Sequence, residues 1–176
     1  PAGPASYIKL IFPEPGQTEP TRPLPDGPRA VSMRTYTPLA VRPEAQEVDV
    51  DFVLHGEGPA STWAAQATLG QVLFLMGPGP GYALDTAATR HLLIADDSAL
   101  PAVETILAAL PAGAHAQVLL EVISEAEQRP LHSAAQLDVV WLARSTDHRA
   151  AGQALEKALH AAAPIGPDTR IYLACE

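Results

Sequence analysis

A cluster of glycine and proline at positions 77–81, which reads Gly-Pro-Gly-Pro-Gly, divides this chain into two parts. No helix or strand is expected to run through such a cluster. Before it, short apolar runs are separated by turn-forming residues, whereas after it apolar runs alternate with segments of helical character. We therefore predict a domain boundary here, with one domain over residues 1–80 and a second over residues 81–176.

The first part is predicted to consist of β-strands. Its apolar runs are short and are separated by loops rich in Pro and Gly, above all over residues 13–28. Within residues 48–54, apolar side chains alternate with Asp49 and Asp51, as in a strand that is buried on one face. Strands are predicted over residues 7–12, 32–37, 48–54 and 72–76, with a short helix over residues 62–67.

The second part is predicted to be α/β. Short apolar strands alternate with helices along the sequence, and this order favours a parallel sheet with helices on its faces. Strands are predicted over residues 91–94, 117–123, 137–142 and 170–174, and helices over residues 100–110 and 152–162.

Composition excludes several classes of function. A net charge of −9 without a basic stripe argues against a nucleic-acid partner. The single cysteine, Cys175, excludes an internal disulfide, and the scattered histidines, together with Asp49 and Asp51, form no convincing metal site. No apolar run is long enough to insert across a bilayer. Because the chain starts at Pro1 rather than Met, we expect a trimmed or incomplete sequence.

Residues 34–37 place a cation, a flat ring and a hydroxyl in one extended segment. Side chains alternate between the faces of a strand, so Arg34 and Tyr36 share one face, and Thr35 and Thr37 share the other. An extended ligand that carries phosphate and an aromatic ring could meet these groups. The alternative interpretation is an exposed strand arginine beside an ordinary strand tyrosine.

A second motif, at residues 55–61, ends a strand and begins a helix. Gly58 provides a flexible corner, Pro59 suits the first helical turn, and Ser61 carries a hydroxyl near it. Backbone N–H groups without partners at a helix start form a ready anion site. The alternative interpretation is an ordinary strand-to-helix turn.

Together these motifs resemble the flavin site of the ferredoxin-reductase-like superfamily, and within it the siderophore-interacting family of ferric-siderophore reductases. The family pattern has Arg-x-Tyr-Thr, an acidic strand ending in His-Gly, and Gly-Pro-Ala-Ser-x-Trp-Ala, which occur here in order within residues 34–64. The resemblance implies an antiparallel flavin-binding barrel followed by a parallel-sheet, nicotinamide-binding-like α/β domain. It covers nearly the whole chain, although the family's first barrel strands and its C-terminal helical segment are not found in the sequence.

The resemblance also implies roles for individual residues at FAD. Arg34 would neutralise the pyrophosphate, Tyr36 would pack against the flavin ring system, and Thr37 would hydrogen-bond near the reactive ring nitrogens. His55 would contact the adenosine part or simply end its strand, and Trp63 is favoured as a core residue. The pyrophosphate cradle would be formed by Gly58, Pro59, Ala60 and Ser61.

A segment of the second part resembles the family's nicotinamide-side loop. From Ala95 it reads Ala-Asp-Asp-Ser-Ala-Leu-Pro-Ala, where the family has Gly-Asp-Glu-Thr-Ala-Leu-Pro-Ala, and the chain ends in Ala-Cys-Glu instead of the family's Ala-Gly-Glu. The resemblance implies that Asp97, Ser98 and Glu176 lie on the nicotinamide side. For Ser98, a cap on the following helix is the favoured alternative.

Three positions depart from the family pattern. Ala95 and Cys175 stand where the family has glycine, and their side chains could crowd a nicotinamide. Leu39 stands where the family often has arginine. Cys175 itself is expected to be a buried packing residue rather than a nucleophile.

The resemblance implies a cytoplasmic, monomeric flavoprotein that passes electrons from NAD(P)H or ferredoxin through FAD to a ferric siderophore. The chemistry belongs to the cofactor, so no catalytic side chain and no metal ligand are assigned. Three alternatives stay open. They are a flavin reductase with another acceptor, a degenerate flavin- or siderophore-binding protein without catalysis, and a purely structural domain.

Overall fold

Strand direction differs between the two halves of the chain. A computed structural model describes residues 3–22, 32–56, 58–147, 150–162 and 165–175. The chain divides into two units, Pro1–Gly81 and Tyr82–Glu176. Among the described residues, strands of the first unit pair antiparallel and strands of the second pair parallel. The predicted fold class is confirmed.

The first unit contains two antiparallel sheets and a short helix. Its elements are β1 (Ile8–Phe12), β2 (Ser32–Tyr36), β3 (Ala40–Arg42), β4 (Glu47–Asp49), α1 (Pro59–Gln66) and β5 (Phe74–Met76). Strand β1 is the centre of a three-stranded sheet, with β2 on one side and β5 on the other. Strands β3 and β4 form a separate hairpin.

Strand β1 supplies the core of the first unit. Its alternate residues Ile8, Leu10 and Phe12 form a buried cluster with Ala60 of α1. Ile11, on the opposite face, is also buried, which explains why the sequence of this strand does not alternate cleanly. Partly buried side chains pack against the cluster, namely Tyr36, Val50, Phe52, Trp63 and Leu73.

The strand predicted over residues 48–54 is too long. Strand β4 ends at Asp49, and residues 50–55 form no strand. Its partner β3 has only three residues, so the ladder of hydrogen bonds cannot continue. Val50 and Phe52 nevertheless pack against the core cluster. The alternating pattern therefore predicted which side chains are buried but not the backbone pairing.

An arginine holds the β3–β4 hairpin together. Arg42 donates to Asp49 at 2.7 and 2.5 Å and to Glu47 at 2.8 Å. The hydrogen bonds from Arg42 lower the pKa of the Asp49 carboxyl. Asp49, predicted to be a solvated residue on a strand face, is thus a partly exposed ion-pair partner.

The second unit is a parallel sheet with helices. Its elements are β6 (Arg90–Asp96), α2 (Leu100–Ala109), β7 (His115–Val122), β8 (Gln136–Ala143), α3 (Arg144–Asp147), α4 (Gln153–Ala161) and β9 (Thr169–Ala174). The strand order is β8-β7-β6-β9. Every element predicted for this part is present, and no end is shifted by more than two residues. The sequence did not predict α3 here, or β3 in the first unit.

Helices cover the parallel sheet through apolar contacts. The chain runs from β6 through α2 to β7 and β8, then returns through α4 to β9 on the other side of β6. Since such crossovers are right-handed, α2 and α4 cover opposite faces of the sheet. Leu155 of α4 joins Leu92, Ile94 and Leu119 in one buried cluster.

Two features are absent from the described residues. None of their helices combines the length and the apolar character that crossing a bilayer requires. No group of three or more His, Cys, Asp or Glu side chains in that part of the chain could hold a metal ion.

Replacing Gly81 by alanine is expected to destabilise the first unit by about 1–3 kcal/mol. The added methyl carbon would lie 2.5 Å from the carbonyl oxygen of Pro4 and 2.7 Å from Oγ of Ser6, so the backbone must shift. Gly113→Ala is the matched control, because no described atom lies within 4 Å of a methyl group there. The control should change stability by less than about 0.5 kcal/mol. Urea unfolding measures both, and equal stability of the two variants would contradict the close packing at Gly81.

Candidate functional site

Two separated parts of the first unit meet in one aromatic cluster. The ring centroid of Tyr36, on β2, lies 4.7 Å from that of Phe52 and 6.4 Å from that of Phe12. Trp63, on α1, lies 5.7 Å from Phe12 and 5.9 Å from Phe52. The strand and the helix that carry the two sequence motifs therefore share one core. Trp63 is a core residue, as predicted.

The hydroxyl of Ser61 is buried and accepts two backbone hydrogen bonds. Its Oγ accepts from the N–H groups of His55 at 3.1 Å and Gly56 at 3.3 Å, and the residue is only 4% exposed. These bonds use both lone pairs of the oxygen, so its O–H is left to donate. No described residue accepts that proton. An acceptor such as a phosphate oxygen fits this hydroxyl.

Gly58 and Pro59 direct the chain into α1. Gly58 has φ 81°, in the left-handed range that favours glycine, and Pro59 takes the first helical position. The carbonyl of Gly58 accepts from the N–H of Thr62 at 3.0 Å. In the first turn, the N–H groups of Ala60 and Ser61 have no partner within the helix, so this helix start attracts anions.

Arg34 and Tyr36 lie on one face of β2, as the strand alternation predicts. Arg34 pairs with Leu10 and Tyr36 with Ile8, and both of these partners belong to the buried cluster. Arg34 is exposed, and its Nη1 donates to the carbonyl of Met33 at 2.9 Å. No described residue takes up the other guanidinium N–H groups, which have the geometry for a bidentate contact with phosphate.

Thr37 adjoins Tyr36 in the chain, and His55 lies near the start of α1. Thr37 is half-buried and follows β2 directly, and His55 is exposed. A methyl group on Gly58 would lie 3.8 Å from Cε1 of His55, so this ring lies beside the helix start. The first unit thus offers a guanidinium, a phenol ring, a hydroxyl donor and a helix start. These groups fit the phosphates and the ring system of FAD.

In the second unit, the order of strands reverses between β6 and β9. Strand β6 leads through α2 to β7 on one side, whereas β9 pairs with its other side. Ligands of open parallel sheets bind outside the carboxyl ends of the strands at such a switch point. Asp96, Asp97 and Ser98 follow or end β6 there, and Cys175 follows β9. Glu176, expected at the same edge, lies outside the described residues.

Asp97 is engaged by the protein itself. Its Oδ1 accepts from the N–H of Ile123 at 3.0 Å, and its Oδ2 accepts from Arg144 at 2.7 Å. Arg144 also donates to Glu121, a carboxylate that is 1% exposed, at 3.2 Å. Contact between Asp97 and a donor stays a prediction. The sequence analysis missed Glu121 and Arg144, although a lone acid inside the apolar run of β7 was a usable signal.

Ser98 does not cap α2. Its O–H and N–H both donate to Oδ1 of Asp96, at 2.6 and 3.0 Å. Asp96 therefore caps the short 3₁₀ turn Asp97–Ala99, and α2 has no side-chain cap. The predicted cap was wrong because the serine hydroxyl has a nearer acceptor two residues earlier. Ser98 is exposed at the carboxyl edge of the sheet.

The two positions where the family has glycine differ in exposure. Ala95 is fully buried, so its methyl group lies inside the unit. Cys175 is exposed, and the prediction that it is a buried packing residue was wrong. It follows β9, an edge strand of the sheet. Partial burial of the thiol raises the pKa of Cys175, and the carboxylates of Asp96 and Glu121 raise it further.

Comparison with known proteins supplies the family. Residues 2–82 match the siderophore-interacting FAD-binding domain, and residues 88–176 match the siderophore-interacting protein model. This chain belongs to the siderophore-interacting protein family. The structure of a siderophore utilization protein from T. fusca is 29% identical in sequence and superposes on this chain with a TM-score of 0.83. The superposed region covers 97% of this chain and 68% of the T. fusca chain.

Relatives of this chain include proteins named as reductases. Ferric vibriobactin reductase ViuB of Vibrio cholerae is 34% identical over 146 residues, which cover 79% of this chain and 54% of that protein. The NADPH-dependent ferric-chelate reductase of Escherichia coli is 32% identical over 147 residues, which cover 78% of this chain and 57% of that protein. This chain therefore spans about half the length of the curated relatives it matches.

Ser61→Ala is expected to destabilise the first unit by about 1–3 kcal/mol, because two backbone N–H groups lose their buried acceptor. Thr62→Ala is the matched control, since Thr62 is the exposed neighbour on the same helix. It should change the free energy of unfolding by less than about 0.5 kcal/mol. Urea unfolding compares the two, and a Ser61 variant as stable as its control would contradict the proposed anchoring.

Alkylation of Cys175 by iodoacetamide is expected to be slow at neutral pH and to accelerate as pH rises, because its raised pKa keeps the thiolate scarce. Asp96→Asn removes one of the carboxylates that raise this pKa, so labelling at a fixed pH should become faster. Asp138→Asn, a change at the opposite edge of the sheet, is the control. Mass spectrometry can follow this single cysteine, and identical rates in all three proteins would contradict the electrostatic cause.

Proposed function

We propose that this protein is an FAD-dependent reductase of ferric siderophores, with NAD(P)H or ferredoxin as the electron donor. The observation that carries the proposal is Ser61, whose buried hydroxyl has only its proton left to donate, at the start of α1. This site lies in the unit that matches the siderophore-interacting FAD-binding domain. Residues 1–80 would bind FAD, and residues 81–176 would receive the donor.

At the cofactor, the pyrophosphate would be held by Arg34 and the start of α1. A guanidinium can contact two phosphate oxygens at once, and the N–H groups of Ala60 and Ser61 point out of the first helical turn. Each favourable charge contact at a helix start contributes about 0.3–1 kcal/mol when exposed. Gly58 and Pro59 support this cradle through the local backbone.

The ring system would be held from the β2 side. Tyr36 is packed against Phe12 and Phe52, which fixes its phenol ring before any ligand binds. Thr37 would donate or accept near the polar edge of the ring, and His55 would contact the adenosine part. When bound, FAD supplies the redox chemistry, taking electrons from the donor and passing them to Fe(III).

The substrate would be iron in a ferric siderophore. Siderophores hold Fe(III) through hard, anionic oxygen donors, and reduction to Fe(II) weakens that hold. The relatives named ferric vibriobactin reductase and ferric-chelate reductase support this class of substrate. No side chain has to move a proton in this electron transfer, since FAD carries the redox chemistry.

NAD(P)H is the favoured donor. The name of the Escherichia coli relative, an NADPH-dependent reductase, supports a nicotinamide donor, and the switch point at the carboxyl end of β6 is where parallel sheets bind dinucleotides. Ferredoxin is the alternative electron donor. The protein would act in the cytoplasm as a monomer.

Purified protein loaded with FAD is expected to lose its visible flavin absorbance when NADPH is added without oxygen, and to regain it on addition of a ferric chelate. Arg34→Ala should weaken FAD binding, whereas Arg22→Ala, which removes another exposed arginine of the same unit, should not. A protein that takes up no flavin at any concentration would refute the proposal. Flavin uptake without reduction by any donor would favour a non-catalytic binding protein, and reoxidation by oxygen or quinone alone would favour a flavin reductase.

A further inference from the structure

A buried carboxylate lies at the carboxyl edge of the parallel sheet. Glu121, the next-to-last residue of β7, is 1% exposed. Its Oε2 accepts from the N–H of Gly152, just before α4, at 2.8 Å and from Arg144 at 3.2 Å. Its Oε1 is buried and has no hydrogen-bond partner among the described residues. A charge buried with so few partners is a poor way to stabilise a fold.

Arg144 extends this contact to the turn after β6. One of its terminal nitrogens donates to Glu121 and the other donates to Asp97 at 2.7 Å. Asp97 also accepts from the N–H of Ile123, which follows β7. Burial lowers the pKa of Arg144, but its hydrogen bonds with Glu121 and Asp97 outweigh that effect and raise it overall. The Glu121–Arg144–Asp97 network thus joins the ends of β6, β7 and β8 to the start of α4.

The network lies at the edge where the strand order reverses. Asp96 and Glu121 are paired neighbours on β6 and β7, so their side chains are on the same face of the sheet. The 3₁₀ turn Asp97–Ala99, which carries exposed Ser98, is held at its beginning by two contacts, the Asp96 cap and the bond from Arg144 to Asp97. Apolar side chains of similar volume would often stabilise such a site as well or better. The charged network is therefore weak evidence for added stability at this place.

We propose that Glu121 and Arg144 are positioning residues for the nicotinamide donor. They orient the Asp97–Ala99 turn through Asp97, so that Ser98 and the neighbouring backbone face the switch point. This inference rests on the proposed function, since it concerns the donor side of the same reductase. It assigns no direct contact with the donor to Glu121, Arg144 or Asp97, because their charged groups bind one another.

The test is a neutral version of the network, Asp97→Asn with Glu121→Gln and Arg144→Met. All three replacements are uncharged, so no buried charge is left unpaired. The two amides also keep acceptors for the N–H groups of Ile123 and Gly152, so the unit can fold. Arg129→Met is the matched control, because Arg129 makes a partly buried ion pair with Glu104 of α2, at 2.6 Å.

The NADPH dissociation constant, measured by nucleotide fluorescence with or without bound flavin, is expected to rise on the order of 10- to 100-fold in the neutral variant. Hydrogen exchange at Ser98 and Ala99 should become faster. The FAD dissociation constant and kcat at saturating NADPH should stay within about twofold of wild type. The Arg129 variant should match wild type in all of these quantities.

Other outcomes separate this inference from the proposed function. An unchanged NADPH dissociation constant in the neutral variant overturns the inference and leaves the reductase intact. An equal loss of FAD affinity also overturns it, because the network would then be merely structural. Wild-type protein that binds FAD and reduces ferric chelate after photoreduction, but does not bind NADPH, overturns the inference alone. Wild-type protein that binds NADPH but never FAD refutes the proposed function instead, and the fluorescence comparison still decides the inference.

Discussion

The first unit depends on the ring of Phe12. This side chain is 1% exposed, and the rings of Tyr36, Phe52 and Trp63 all contact it. Tilted and edge-to-face contacts between aromatic rings restrict orientation more than apolar burial alone does. Because Tyr36 belongs to β2 and Trp63 to α1, the same contacts fix a phenol-bearing strand against a helix start. A binding site needs such support, since its groups must converge within narrow limits.

The second unit is built on apolar burial, but its carboxyl edge is organised by charge. Exposed pairs such as Arg170 with Asp85, at 2.6 Å, contribute little to stability because water screens them. The pair of Arg144 and Glu121 is different, since Glu121 is removed from water and lies near the carboxyl end of β7, beside β6. The pair connects the packing of the sheet to its carboxyl edge.

The apolar pattern of the sequence predicted most helices and strands, but it did not predict which residues contact one another in the tertiary structure. The apolar alternation of residues 48–54 indicated that Val50 and Phe52 are buried, yet the ladder stops at Asp49 because β3 is short. The exposure of Cys175 followed from its place after an edge strand, which residue statistics do not contain. The contact between Arg144 and Asp97 spans 47 residues, so no local window could contain it.

The sequence by itself determined the family, the change from antiparallel to parallel pairing, and the two motifs that would hold a flavin. These properties are local, since periodicity defines the faces of a strand and glycine or proline defines a turn. Only the tertiary structure decided that the Ser61 hydroxyl accepts hydrogen bonds from the backbone of His55 and Gly56, and that Asp97 is bonded to Arg144. Those facts depend on which strands become neighbours and in what register, and many sequences with the same periodicity leave that choice open.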